Sequence, residues 1–153
     1  MFVKSSLFTK GFVLAACLLA VVAAQTCVCP LITQKQVFEN ADVVAKVKVE
    51  NRTVTNDWII YDVTYETIFK PKNLNTDRRQ IISNPAVTKC GVPNLIAKQE
   101  YLIAAKANGE RLEITNCGQF PPRLVARPIS GPPLWSTVNP QLVKKLESGK
   151  FVL

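Results

Sequence analysis

The chain has 153 residues, 48% of them hydrophobic, with 19 Lys and Arg against 11 Asp and Glu and no histidine. That length suits one domain with a real core, and the absence of histidine removes the usual acid–base group of enzymes near neutral pH. The formal charge of +8 favours solubility and acidic partners such as matrix polyanions, and by itself it establishes no nucleic-acid role.

Lys4 and Lys10 precede an uncharged run from Gly11 to Ala24. At 14 residues the run is short for a membrane span, which takes about 20. A basic flank, a short apolar core and small residues at its end make a secretory signal. Val22 and Ala24 suit a cut after Ala24, and a cut after Thr26 is the alternative. The reading is therefore a signal over 1–26 and one domain over 27–153, with no membrane span after processing. Loss of Lys4 and Lys10 lowers the formal charge from +8 to +6.

Cys17 leaves with the signal, so Cys27, Cys29, Cys90 and Cys117 remain. A secreted chain can keep them as disulfides. A bridge within Cys27-Val28-Cys29 is strained, so each of the two is expected to reach a distant partner. Two pairings stay open: 27–90 with 29–117, or 27–117 with 29–90. Either one staples the amino terminus across the fold. A structural zinc site is the rival use, but the chain has neither a Cys-x2-Cys pair nor a histidine.

Residues 34–41 predict a short helix, with Val37 and Phe38 toward the core. Val43, Ala45, Val47 and Val49 alternate with Lys46 and Lys48, which predicts a half-buried strand over 42–49. Residues 51–57 are polar and read as a turn. They carry the one glycosylation sequon, Asn51-Arg52-Thr53. Residues 58–69 are rich in β-branched and aromatic side chains and predict a long strand. Asp62 and Glu66 share its solvated face. A weaker strand follows at 80–83, then an exposed loop at 84–89. The run YLIAA within 100–106 predicts a central strand. Asn108-Gly109 marks a hairpin that returns over 112–115. Residues 118–133 hold five prolines and two glycines, which exclude a regular helix or central strand and suggest a segment wrapping the body. Asn139 and Pro140 start a helix over 140–148 and Gly149 ends it. Five short strands suggest a small barrel or sandwich.

In these features the chain resembles the amino-terminal, netrin-like domain of the tissue inhibitors of metalloproteinases. The resemblance rests on Cys27-Val28-Cys29-Pro30, on ADVVAKVKV at 41–49, and on Asn84-Pro85-Ala86 before Cys90-Gly91. YLIAAK at 101–106, LEITNC at 112–117 and Trp135 before LVKKLESG at 142–149 extend it over nearly all of 27–153. It implies an all-β fold with flanking short helices, an OB-type five-stranded barrel, with bridges Cys27–Cys90 and Cys29–Cys117. It also implies a function, inhibition of extracellular zinc metalloproteases. In the family, the mature amino-terminal cysteine lays its amine and carbonyl oxygen on the protease's catalytic zinc. Carried over, Cys27 is that ligand and Val28 enters the neighbouring pocket. Cys29 and Pro30 follow along the cleft. Pro85, Ala86, Val87, Thr88 and Lys89 form a second contact ridge. No intrinsic cofactor is implied, because the zinc belongs to the target. Two departures stand out. Phe38 occupies the place of a further cysteine, and residues 118–153 hold none.

The expectation is a secreted, monomeric, non-enzymatic inhibitor. The alternative is a secreted netrin-like binding module that regulates matrix, signalling or immunity without touching zinc. OB-type barrels also bind single-stranded nucleic acids on aromatic platforms. With 8% aromatic residues and a secretory leader, that use is not expected here.

Overall fold

Val43, Ala45, Val47 and Val49 all point into one apolar core, together with Ile59, Tyr61, Val63, Ile81, Tyr101, Ile103 and Leu112. They do so because five strands close on themselves around that core. The computed structural model describes residues 27–77, 79–120 and 131–151. The expected signal over 1–26 lies outside the described residues, as does most of the proline-rich segment, 121–130.

The elements in chain order are α1 (Gln34–Asn40), β1 (Val43–Val54), β2 (Ile59–Lys70), β3 (Gln80–Ser83), β4 (Glu100–Asn108), β5 (Arg111–Glu113) and α2 (Pro140–Ser148), with short 3-10 turns at Val87–Lys89 and Trp135–Thr137. The barrel order is β1-β2-β3-β5-β4. β1 pairs antiparallel with both β2 and β4. β3 and β5 pair in parallel, Ile81 beside Leu112, and this contact closes the barrel. The architecture is the all-β barrel with two short flanking helices that the sequence suggested.

A second core explains why β4 reads as a continuous apolar run. Tyr101, Ile103 and Ala105 face the barrel interior, whereas Leu102 and Ala104 face outward into a cluster with Val44, Val37, Phe69, Phe120, Leu142 and Leu146. A strand buried on both faces needs apolar side chains on both. α1 and α2 supply the cover. Val37 and Leu146 are each 1% exposed, and Phe38 stacks on Phe151 with ring centroids 4.7 Å apart. Among described residues, no helix is long and apolar enough to cross a membrane.

The expected turn over 51–57 is corrected. β1 continues to Val54, with Asn51 opposite Asp62 and Val54 opposite Ile59. The turn is tighter: the Thr55 N–H donates to the Trp58 carbonyl at 2.8 Å, and the Trp58 N–H donates to Thr55 Oγ1 at 3.0 Å. All of Asn51–Val54 is exposed, so burial gave the sequence no alternation there, and pairing with β2 defines the strand instead. The acidic face of β2 is structural. Glu66 meets Lys46 Nζ at 2.6 Å, and Asp62 accepts from Gln80 Nε2 at 3.1 Å. Glu66 first and Glu100 second hold the Lys46 ammonium above its ordinary range, against a smaller opposing effect of burial.

Candidate functional site

Cys27-Val28-Cys29-Pro30 belongs to no helix or strand. Its position comes from covalent bonds. Cys27 is bonded to Cys90 and Cys29 to Cys117, with Cα–Cα separations of 5.0 and 5.1 Å. This is one of the two pairings that spacing alone left open. Cys27 and Cys29, two residues apart, send their sulfurs the same way, 3.8 Å from each other. Val28 lies between them and is 81% exposed. The four sulfurs lie within 4.8 Å of one another. Because they are joined in pairs, they offer a metal no thiolate.

The anchors beneath these bonds are rigid. Cys117 lies four residues beyond the end of β5, and Gln119, buried behind it, ties this stretch to β4, its Nε2 also donating to the Thr115 carbonyl at 2.9 Å. Its amide accepts from the Ala104 N–H at 3.0 Å and donates to the Ala104 carbonyl at 2.8 Å. Cys90 ends the 3-10 turn in a left-handed conformation, φ 59°. Its carbonyl accepts from the Asn116 N–H at 2.8 Å, and Asn116 Nδ2 donates to the Gly91 carbonyl at 2.6 Å. The two anchoring cysteines are thus tied to neighbouring stretches of backbone.

The loop before Cys90 folds on itself. Asn84 Oδ1 accepts from the Ala86 N–H at 2.9 Å, a side-chain turn characteristic of Asn. The Ala86 carbonyl accepts from both the Lys89 and Gly91 N–H groups at 3.0 Å. Gly91 is required by this close approach, since a Cβ there would sit 1.9 Å from the Asn84 carbonyl oxygen. Ser83 Oγ donates to the Ile114 carbonyl and accepts from the Val92 N–H, each at 2.8 Å. Tyr61 donates to the Val92 carbonyl at 2.6 Å, and burial raises its phenol above the ordinary value of 10. The result presents Val87, Thr88 and Lys89 to solvent, with Pro85 and Ala86 half-buried behind them.

The structure therefore brings Cys27, Val28, Cys29 and Pro30 together with the loop from Pro85 to Lys89, joined through the Cys27–Cys90 bond. Asn51 belongs elsewhere, on β1. Leu31, 82% exposed, was not singled out from the sequence. The available signal was an apolar residue after Pro30, ahead of the first periodic element. The supporting roles of Gly91, Asn116 and Gln119 depend on contacts that sequence spacing does not display.

The family model of the UNC-6/NTR/C345C module matches residues 34–120. The chain belongs to this NTR family. Among curated proteins it is similar to metalloproteinase inhibitor 2 of Rattus norvegicus, 35% identical over 124 residues, covering 74% of this chain and 56% of that protein. It is also similar to metalloproteinase inhibitor 2 of Bos taurus, 32% identical over 106 residues, covering 61% of this chain and 47% of that protein. The chain spans about half the length of these relatives. Both are named as inhibitors, not enzymes. The NTR match takes in the loop, Cys90 and Cys117 but begins after Cys27-Val28-Cys29-Pro30.

Proposed function

We propose that this chain is a secreted inhibitor of zinc metalloproteases whose amino terminus, freed by processing before Cys27, chelates the target's catalytic zinc. The observation that carries the reading is the doubly bonded Cys27-Val28-Cys29 segment with Val28 exposed. An α-amine titrates near 8, so a useful fraction is neutral at physiological pH and can donate a lone pair. The carbonyl oxygen of Cys27 completes the chelate. Together they displace the water that a metalloprotease activates. Two bridges fix this wedge before binding and reduce its ordering cost. Val28 is stiff at χ1 and suits an apolar pocket beside the metal. Cys29 and Pro30 run along the cleft, and Pro85, Ala86, Val87, Thr88 and Lys89 form the flanking ridge. The similarity to two metalloproteinase inhibitors supports the reading. The bridges suit an oxidising, extracellular setting, and the zinc is the target's.

The test is to purify the secreted protein, identify its first residue by mass spectrometry and assay that same material on a panel of zinc proteases. The expected result is a chain starting at Cys27 that inhibits, and that stops inhibiting when its amine is acetylated or extended by Gln25-Thr26. Inhibition by a chain starting at Gln25, or undiminished inhibition after acetylation, removes the mechanism.

A second reading is compatible with membership of the NTR family. In that reading the chain is a non-inhibitory extracellular binding module. Absence of inhibition by a chain starting at Cys27, with binding to matrix or a receptor retained, selects it.

A further inference from the structure

The two bridges touch each other through their sulfurs. Cys27 Sγ lies 3.6 Å from Cys117 Sγ and 3.8 Å from Cys29 Sγ, the two atoms of the bridge to which it does not belong. Cys90 Sγ lies 3.5 Å from Cys117 Sγ, and all four sulfurs fall within 4.8 Å of one another. Each cysteine is half-buried, so none is sealed from solvent. The two sides of the cluster differ in freedom. Cys90 and Cys117 are held together by Asn116, whose N–H donates to the Cys90 carbonyl at 2.8 Å and whose Nδ2 donates to the Gly91 carbonyl at 2.6 Å. The strap has no such ties: among the described residues, no backbone hydrogen bond joins 27–32 to the barrel. The sulfurs of the other long-range pairing, 27–117 with 29–90, are therefore already neighbours, and only the strap has to move.

We propose that the touching bridges form an exchange site for a small thiol, which converts this pairing to Cys27–Cys117 with Cys29–Cys90 and so displaces the wedge. A thiolate attacks a disulfide sulfur through a mixed disulfide. Attack on Cys90 Sγ forms a bond between the thiol and Cys90, and the Cys27–Cys90 bond breaks with its electron pair on Cys27. The Cys27 thiolate attacks Cys117 Sγ, its neighbour at 3.6 Å; the Cys29–Cys117 bond breaks and Cys29 leaves as thiolate. Cys29 then attacks Cys90 Sγ and expels the small thiolate. Two bonds are broken and two formed, nothing is oxidised or reduced overall, and the thiol is returned. A lone bridge could not do this, because its freed thiolate would have no second disulfide beside it. After exchange Cys27 hangs from Cys117 and Cys29 from Cys90, so the strap runs the opposite way over its anchors. Val28 and the Cys27 amine then lose their places beside the loop from Pro85 to Lys89. That loss of inhibition rests on the inhibitor reading; the exchange does not.

The experiment treats the native secreted protein with reduced glutathione at less than equimolar concentration, stops samples by alkylation and digests them with trypsin. Cys27 and Cys29 fall in one tryptic peptide, two residues apart, and Cys90 leads another after Lys89. Stepwise amino-terminal degradation of the linked peptides therefore releases the Cys90 cystine with Cys27 in the native pairing and two cycles later, with Cys29, in the exchanged one. The expected result is conversion that leaves the intact mass unchanged and the glutathione unconsumed, with inhibition falling in proportion to the exchanged fraction. The double variant Cys29→Ser, Cys117→Ser should acquire bound glutathione or a free thiol instead, with no isomer. A protein that only reduces, that only accumulates mixed disulfide, or that pairs Cys27 with Cys29 (which frees their peptide from the other two) overturns the proposal. So does exchange that leaves inhibition intact, or loss of inhibition that proceeds equally in the double variant. A native protein that inhibits no zinc protease removes the inhibitor reading alone, because the pairing is read without a protease and its conversion still supports the exchange site.

Discussion

Val28 and Gly91 do opposite work within one site. Val28 is exposed between two bonded cysteines and makes almost no contribution to the fold. Replacing it with Gly should leave the unfolding midpoint nearly unchanged and weaken inhibition by roughly 1–3 kcal/mol, the value of burying a small apolar side chain in a pocket. Inhibition constants for the two proteins measure this directly, and equal constants would exclude insertion of Val28. Gly91 is buried, and its Cα approaches the backbone of Asn84 and Ala86. A methyl group there meets carbonyl oxygens at 1.9 and 2.9 Å, and neither is the free end of a side chain that can swing away. Gly91→Ala should cost roughly 1–3 kcal/mol or more, and should displace the loop that carries Val87. Urea unfolding gives the first quantity. An unchanged midpoint would mean that the loop has room that this geometry denies.

At the level of elements, α1 shows how a short helix is kept in place. Its seven residues cannot hold a helix alone. Burial of Val37 supplies one support and the capping box the other: the Gln36 N–H donates to Thr33 Oγ1 at 3.2 Å, and the Thr33 N–H donates to Gln36 Oε1 at 2.8 Å. Thr33→Ala should lower stability by about 1 kcal/mol. A urea midpoint that does not move would show that the cap adds nothing. Because the bridges hold residues 27–29 independently, the same variant should inhibit as the parent does. Both helices were legible in the sequence because their signals are local. Asn139, Pro140 and Gly149 mark the ends of α2, and Gln34 opens α1 where the periodicity begins. β4 was legible because burial on both faces leaves a continuous apolar run. The outer half of β1 was not. Asn51–Val54 shows no alternation, and its extended form follows from pairing with Ile59–Asp62 across the turn. The choice between the two disulfide pairings is less local still, because it depends on which anchor, 63 or 88 residues on, stands beneath which cysteine.

Across the whole molecule, a closed barrel carries a strap that has no regular structure of its own. Residues 27–33 form no helix or strand, so the strap's order comes from Cys27–Cys90 and Cys29–Cys117, with sequence separations of 63 and 88. In the chain-entropy model a loop of the longer kind contributes up to roughly 4 kcal/mol, less where another bridge already constrains the unfolded chain. The double variant Cys29→Ser, Cys117→Ser removes that bridge without leaving a free thiol. The barrel has its own core and should persist, with a lower urea midpoint. The strap should respond differently. Cys27 remains held at one point, but the chain after Val28 is free to rotate about it. Under conditions where the variant is fully folded, its inhibition constant should still rise, because ordering the strap is then charged to binding. Stability and inhibition thus separate the two roles of one bond. A lowered midpoint with an unchanged inhibition constant would show that the first bridge and the surrounding packing alone fix the wedge.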